Sequence, residues 1–274
     1  MTDQYAVIGN PVAHSKSPFI HASFARQTGQ DLEYTRILAE PDRFVLRASN
    51  FFAAGGRGLN VTVPFKQEAF ALAATLSPQA TLAGAVNTLM QDGNGQLYGH
   101  NTDGLGLVRD ITSNLGQSLR DCRILLLGAG GATRGILQPL LEQRPHSLFI
   151  ANRTAPKARE LAAIFSALGP VQGGGFDEVG ERPFDWILNA TAASLQGELP
   201  PLPGAVVARQ TSCYDLMYGA EPTVFCKWAL TSGAGLVADG LGMLVEQAAE
   251  SFKLWRGIRP ETTGVIADLR RHLA

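Results

Sequence analysis

The sequence predicts an α/β protein in two domains, and three observations predict it. Strand-like and helix-like segments alternate through the first hundred residues. A further aliphatic strand, Arg123-Ile-Leu-Leu-Leu127, runs into a glycine cluster that opens another helix. The last third of the chain returns to long stretches of helical periodicity. Such alternation gives mostly parallel sheets with crossover helices, because parallel neighbours cannot be joined by a tight turn.

The elements follow in chain order. Ala6-Val-Ile-Gly9 reads as a strand ending on glycine. Ser17 suits a helix N-cap and Pro18 the first helical residue, where a missing N–H costs nothing. Phe19, Ala22, Ser23 and Arg26 continue that helix, and Gly29 suits its stop. Leu32 to Leu38 alternates as a strand does. Phe44, Val45, Ala48, Phe51 and Phe52 have helical spacing between Pro41 and Ala54, ended by Gly55-Gly56. Leu59 to Val63 is a short buried strand stopped by Pro64. Beyond the glycine cluster, strands are expected at Ser147–Ala151, Asp185–Asn189 and Thr211–Tyr214. Gln172–Gly175 and Gly197–Gly204 read as loops. Leu241–Trp255 and Glu261–Leu273 read as closing helices.

Composition excludes several classes. With 274 residues, 45% hydrophobic and 17% charged, the chain has enough apolar material for two cores. A net charge of −1 without basic runs argues against nucleic acid or an anionic membrane as partner. No apolar run approaches the roughly 18 residues of a membrane span. The first residues lack a secretory signal, so a cytoplasmic location is expected. Cys122, Cys213 and Cys226 are odd in number and far apart, which suits small buried hydrophobes rather than disulfides. The histidines show no zinc-ligand spacing with them, and no metal is expected.

Chemistry concentrates at strand ends. In Gly58-Leu-Asn-Val-Thr-Val-Pro-Phe-Lys66 a lysine lies just past a strand's carboxyl end, where ligands of open α/β sheets bind. A plain surface lysine is the alternative. Ala83-Gly-Ala-Val-Asn87-Thr-Leu and Gly99-His-Asn-Thr-Asp103-Gly likewise put small polar residues beside glycines at the ends of apolar runs. Thr62, Asn87 and Asp103 can pair with hydroxyl groups. Taken singly, Asn87 also suits a buried turn, and Asp103 or Thr102 a helix cap. Ser15 and Ser17 flank a helix start, where hydroxyls, N–H groups and the helix dipole can hold a carboxylate.

The cluster Gly128-Ala129-Gly130-Gly131-Ala132-Thr133-Arg134-Gly135 matches a dinucleotide-binding turn except that Thr133 holds the third glycine position. The next strand ends Ala151-Asn152-Arg153-Thr154, with Lys157 one turn on. An NAD site places a carboxylate there. Here a guanidinium fork, two neutral donors and an amine suit the 2′-phosphate of NADP instead.

Together with Gly9-Asn-Pro-Val-Ala-His-Ser15-Lys-Ser17-Pro18, these segments resemble the shikimate dehydrogenases, which reduce 3-dehydroshikimate with NADPH. The resemblance runs from about Tyr5 to the last helix. It implies an α/β substrate domain with a mostly parallel sheet (residues 1–104 and 240–274) and a Rossmann-like NADP domain (105–239), with an active-site cleft between them. Lys66 and Asp103 become the catalytic pair, and either can own the transferred proton. Ser15, Ser17, Thr62, Asn87, Tyr218 and Gln247 become contacts to shikimate or 3-dehydroshikimate. The cofactor contacts implied are Gly128, Ala129, Gly130, Gly131, Ala132, Asn152, Arg153, Thr154, Lys157, Thr191, Met217, Gly240 and Met243. Met243 also suits plain core packing. Lys157 stands where many relatives carry arginine. Ala192-Ala193 replace serines common in relatives, so no catalysis is assigned there.

The expected function is NADP-dependent shikimate dehydrogenase, in the pathway to chorismate and aromatic amino acids, as a monomer or homodimer. A quinate/shikimate dehydrogenase using NAD or both cofactors is the alternative, and the Asn152-Arg153-Thr154 segment argues against NAD preference. A non-catalytic NADP-binding regulator would not need both Lys66 and Asp103. A methylene-folate-type dehydrogenase leaves Ser15 and Ser17 unexplained.

Overall fold

The computed structural model describes residues 2–191, 193 and 197–273. Chain contacts divide it into two compact units, Met1–Gly106 with Val245–Leu269, and Leu107–Leu244 with Arg270–Ala274.

The first unit begins with strand β1 (Asp3–Gly9), helix α1 (Ser17–Thr28), β2 (Leu32–Leu38), α2 (Phe44–Ala53) and β3 (Gly58–Val61). Helix α3 (Lys66–Leu72), β4 (Thr75–Leu76), α4 (Pro78–Ala83), β5 (Thr88–Gln91) and β6 (Leu97–His100) follow. Its sheet runs β2-β1-β3-β5-β6-β4. Only β5 opposes its neighbours; β1 is parallel to β2 and β3, and β4 to β6. The β5–β6 hairpin is absent from the sequence reading, which saw only the polar ends of those runs. Its turn is held by Asp92, whose Oδ1 accepts from the N–H groups of Asn94 and Gln96, with Gly95 at φ 76°. Ile8, Leu59, Val61, Phe44, Phe65 and Leu89 fill the core beneath this sheet. Each such side chain stabilises the fold by about 1.5–3 kcal/mol on burial.

Helix α5 (Asp103–Arg109) continues as one turn of π-helix, Asp110–Asn114, on entering the second unit. There follow β7 (Arg123–Leu127), α6 (Gly131–Glu142), β8 (Ser147–Ala151), α7 (Ala155–Phe165) and β9 (Val171–Gly174). The second half has β10 (Trp186–Asn189), β11 (Ser212–Asp215), α8 (Val224–Thr231) and β12 (Leu236–Asp239). Helix α9 (Leu241–Arg256) leads back into the first unit, and α10 (Thr263–Leu273) closes the chain. The sheet order is β12-β11-β10-β7-β8-β9, all parallel. This is the order of a doubly wound dinucleotide-binding fold, with the reversal between β7 and β10.

Two readings need correction. Gln172–Gly175 is not simply a loop, since Val171–Gly174 forms the edge strand β9. Its glycines disguise it. A Cβ on Gly173 would stand 2.1 Å from the Ala158 carbonyl, so α7 packs directly on the strand backbone and only glycine fits. Ser17 is not an N-cap. Helix α1 starts at Ser17, its cap position is Lys16, and the Lys16 side chain makes no capping bond. The Ser15 hydroxyl instead accepts the Ser17 N–H at 3.3 Å.

Helix α1 also buries His21, 1% exposed and stacked on Tyr34 at 4.2 Å. Neither ring nitrogen makes a hydrogen bond of ordinary geometry. Burial pushes its pKa down to about 3, against the smaller, opposite pull of the nearby Asn60. Between the unfolded value of 6.5 and about 3, the unfolded chain takes up a proton that the native chain refuses. Stability therefore falls as pH falls through that window, by up to about 1.4 kcal/mol per pH unit. His21→Phe should flatten this slope in urea unfolding followed from pH 7 to pH 4.5. An unchanged slope would show that other groups carry the acid sensitivity.

Candidate active site

Lys66 is placed by what precedes it. Phe65 is fully buried and stacks on Phe44 at 5.1 Å, pinning the chain just before α3 begins. A cation at a helix start opposes the helix dipole, so local structure alone does not favour lysine there. Asp103 offsets this: Lys66 Nζ donates to Asp103 Oδ2 at 2.6 Å. The Lys66 side chain keeps 31% exposure against 12% for Asp103, so the pair sits at a surface with only its lysine end open.

Asp103 is fixed from both sides. Its Oδ1 accepts from Asn87 Nδ2 at 2.8 Å, and its N–H donates to Asn101 Oδ1 at 3.1 Å. Asn87, 3% exposed, also holds Thr102 through Oδ1, which accepts the Thr102 N–H at 3.0 Å. Gln247 Oε1 lies 3.4 Å from both Asn87 Nδ2 and Thr102 Oγ1. Glycine at 106 permits this approach, since a Cβ there would meet the Gln247 backbone at 2.6 Å. Thr62 follows β3, half-buried, and Gly9 makes room for its methyl group.

Ser15 and Ser17 come together, their hydroxyls 3.2 Å apart. Arg36 clamps the Ser15 carbonyl with Nε and Nη2 at 3.1 and 2.6 Å. Ser17 also touches the Tyr34 phenol, whose pKa burial drives well above its ordinary value. Tyr34 donates to Asn60 Oδ1 at 2.7 Å. Asn60 Nδ2 in turn reaches Thr88 Oγ1 at 3.2 Å and Ser251 Oγ at 3.0 Å. Thr88 Oγ1 returns to Asn87 Oδ1 at 2.9 Å. One buried polar array thus runs from the serines to the Lys66–Asp103 pair. Sequence reading missed Tyr34, Asn60, Thr88, Asn101, Ser251 and Arg36. Each looks like an ordinary strand, turn or helix residue, and no local pattern marks its partners.

The second unit carries the glycine turn. Gly128 has φ 100°, a backbone region open chiefly to glycine. A Cβ built on Gly130 or Gly131 would meet nothing within 4 Å, so the start of α6 stands uncovered. Its cap residue is Gly130, which has no side chain to make a capping bond. Ala129 is half-buried and Ala132 exposed on the same turn. An uncovered helix start and a tight glycine turn fit a pyrophosphate. Thr133 does not break the turn: it is fully buried, and its hydroxyl donates to the Gly128 carbonyl at 2.8 Å. The side chain that spoils the glycine pattern thus locks the loop.

After β8, Asn152 Nδ2 donates to the Thr154 carbonyl at 3.0 Å and shapes the loop. Thr154 sits at the cap position of α7 but makes no capping bond. Arg153 and Lys157 are exposed and form no ion pair among the described residues, whereas Arg159 on the same helix is committed to Glu178 at 2.7 and 2.8 Å. Two uncommitted cations and no carboxylate suit a 2′-phosphate.

Thr191, Met217 and Gly240 follow the ends of β10, β11 and β12. Gly240 donates to the Met217 carbonyl at 3.1 Å, and a Cβ on it would lie 2.1 Å from the Leu216 carbonyl. Close backbone approach is reason enough for glycine there. Met243 is half-buried, its N–H donating to the Tyr214 hydroxyl at 3.3 Å. Tyr218 is half-buried, and burial, with Asp239 adding to it, raises its pKa, so its hydroxyl stays a neutral donor. Of the Ala192-Ala193 pair, Ala192 lies outside the described residues. No helix among the described residues is long and apolar enough to cross a membrane.

Comparisons bear on the whole chain. Residues 7–89 match the shikimate dehydrogenase substrate binding domain, 110–193 the shikimate/quinate 5-dehydrogenase family, and 240–270 the shikimate 5′-dehydrogenase C-terminal domain. A shikimate dehydrogenase (NADP(+)) of Cellvibrio japonicus is 58% identical over 273 residues, covering 100% of this chain and 99% of that protein. The crystal structure of an Ael1 enzyme from Pseudomonas putida is similar at TM-score 0.92 and 46% identity, covering 98% of each chain. A shikimate 5-dehydrogenase from Thermus thermophilus, in complex with NADP(H) and shikimate, gives TM-score 0.88 at 32% identity, covering 99% of this chain and 100% of that one.

Proposed function

The chain belongs to the shikimate dehydrogenase family, and we propose that its Lys66–Asp103 pair and its glycine turn carry the family's reaction. The protein is an NADP-dependent oxidoreductase that reversibly reduces 3-dehydroshikimate to shikimate, a step towards chorismate and the aromatic amino acids. The substrate domain is assigned to residues 1–104 with 240–274, and the NADP domain to residues 105–239.

Bound NADPH supplies the hydride in one direction, and NADP+ accepts it in the other. What remains for the chain is to hold the ring and manage one proton. In the reducing direction the Lys66–Asp103 pair delivers a proton to the ketone oxygen, and the ammonium stabilises charge developing there. In the oxidising direction the same pair takes the hydroxyl proton. Asn87 supports this by occupying Asp103 Oδ1, which leaves Oδ2 on the lysine. Thr62, Asn87 and Gln247 are assigned to ring hydroxyls, and Ser15, Ser17 and Tyr218 to the carboxylate.

For the cofactor, the turn Gly128 to Ala132 is assigned to the pyrophosphate. Asn152, Arg153, Thr154 and Lys157 take the adenosine ribose and its 2′-phosphate. Thr191, Met217, Gly240 and Met243 are assigned to the nicotinamide half. We place the protein in the cytoplasm, as a monomer or homodimer, with no nucleic-acid partner.

The observation that carries this reading is the 2.6 Å Lys66–Asp103 contact, with Asn87 on the second carboxylate oxygen. Initial rates with shikimate and with quinate, each with NADP+ and NAD+, test it. Shikimate with NADP+ should give the highest kcat/KM. A preference for quinate or for NAD+ would move the chain to the quinate/shikimate branch.

A further inference from the structure

We infer that Asp215 is a positioning residue that ties together three loops at the nicotinamide half of the cofactor site. This rests on the NADP assignment above and goes beyond it.

In a doubly wound sheet each half serves one mononucleotide, and the ligand lies beyond the strands' carboxyl ends. Strands β10, β11 and β12 form the second half. They end in register: Asn189 pairs with Asp215, and Asp215 with Asp239. The loops Ala190–Thr191 and Leu216–Met217, and the turn residue Gly240 before α9, each start one residue later.

Asp215 is fully buried at the centre of that row. Its Oδ1 accepts from Asn189 Nδ2 and from the Met217 N–H, both at 3.1 Å. Its Oδ2 accepts from Thr223 Oγ1 at 2.6 Å. Thr223 also caps α8 by accepting the Cys226 N–H at 3.1 Å, so the positive end of that helix faces the carboxylate's side. Asn189 extends the chain of contacts, its Oδ1 accepting from the Thr191 N–H at 3.2 Å and hydroxyl at 2.7 Å. On the other flank the Gly240 N–H donates to the Met217 carbonyl at 3.1 Å. Thr191, Met217 and Gly240 are thereby linked through one carboxylate. Thr191 lies against the glycine turn too, its methyl 3.1 Å from a Cβ built on Gly128.

A buried carboxylate is costly unless donors surround it, and an apolar residue would hold a strand end with less risk. The donors it collects here belong to Met217 itself and to residues that fix Thr191 and α8. That points to setting loop positions rather than to sheet stability alone.

The test uses Asp215→Asn, Thr223→Val and Thr223→Ser in the full chain. Asp215→Asn should raise the NADP+ KM about tenfold, the scale of one lost charge-assisted hydrogen bond. The shikimate KM at saturating NADP+ should stay within about twofold. Inhibition by adenosine 2′,5′-bisphosphate, which fills only the adenosine half, should be unchanged in every variant. Thr223→Val should raise the NADP+ KM, and Thr223→Ser should restore it. If Asp215→Asn does not fold, the Thr223 pair decides. An NADP+ KM equal to wild type in folded Asp215→Asn would overturn the inference. So would equal loss in Thr223→Ser and Thr223→Val, or weaker adenosine 2′,5′-bisphosphate binding in step with NADP+. Failure of the wild-type chain to use NADP+ would instead overturn the NADP assignment itself.

Discussion

Lys66→Met should lower kcat by about 10² to 10⁴, the usual loss when a positioned proton donor is removed. The protein should stay folded and bind NADP+ as before. Methionine matches the apolar stem of lysine, and the Lys66 side chain is 31% exposed, so little packing is lost. What disappears is the ammonium on Asp103 Oδ2. Asp103→Asn should also reduce kcat strongly, though for a different reason. The amide can still meet Asn87 or Lys66, but the lysine loses its anionic partner. The measurements are kcat and KM in both directions, NADPH binding by fluorescence, and thermal midpoints. Near-normal turnover in Lys66→Met with intact cofactor binding would remove the lysine from the chemistry. Near-normal turnover in Asp103→Asn would reduce Asp103 to the first residue of α5.

How much of this was legible in the sequence depends on the range of each interaction. The strands β1, β2, β7 and β8 are apolar or alternating runs bounded by glycine or polar turns, and local pattern suffices to find them. Strand β9 hid behind Gly173 and Gly174, because the demand for glycine came from distant neighbours, α7 packed on Gly173 and the Phe149 and Glu178 side chains against Gly174. Strand β12 is only Leu236–Asp239 and has no pattern long enough to stand out. Lys66 and Asp103 could be singled out because each follows a strand near glycine, and such strand ends converge on one edge of a sheet; Asn87 reaches that edge from the start of β5, which runs the opposite way. Their support could not. Ser251 meets Asn60 and Thr88 from a distant helix, and nothing in Glu250-Ser251-Phe252 announces a buried hydroxyl. Ser17 misled in the opposite sense. Its place before Pro18 fits a cap, but Ser15 Oγ already accepts the Ser17 N–H, and the Ser17 hydroxyl is drawn to Ser15 and Tyr34. Asp215 carries no local signal, since its importance lies in the register of three strands.

Arg153→Ala should weaken NADP+ while leaving NAD+ almost untouched. The argument starts from the end of β8, where Asn152 spends its amide on the Thr154 carbonyl and leaves Arg153 exposed without an ion-pair partner among the described residues. An unpaired guanidinium beside a dinucleotide turn has a clear use in holding a 2′-phosphate, and NAD+ carries no such group. Losing one charge-assisted contact costs about 1.5–3 kcal/mol, or roughly ten- to a hundredfold in kcat/KM for NADP+ alone. Lys157, one turn along α7, softens the loss, so Arg153→Ala with Lys157→Ala should exceed either single change. Asn152→Asp acts from the other side. It puts a carboxylate where NAD-binding folds keep one, repelling the 2′-phosphate and offering an acceptor to the ribose hydroxyl. That variant should move preference further towards NAD+. Because Arg153 and its neighbours are screened by solvent, the NADP+ penalty should shrink as salt rises. The measurement is kcat/KM for both cofactors at low and high ionic strength. Equal losses for NADP+ and NAD+ in Arg153→Ala would mean that the guanidinium supports the adenosine or the loop in general. Discrimination would then have to come from Lys157 and the backbone of 152–154.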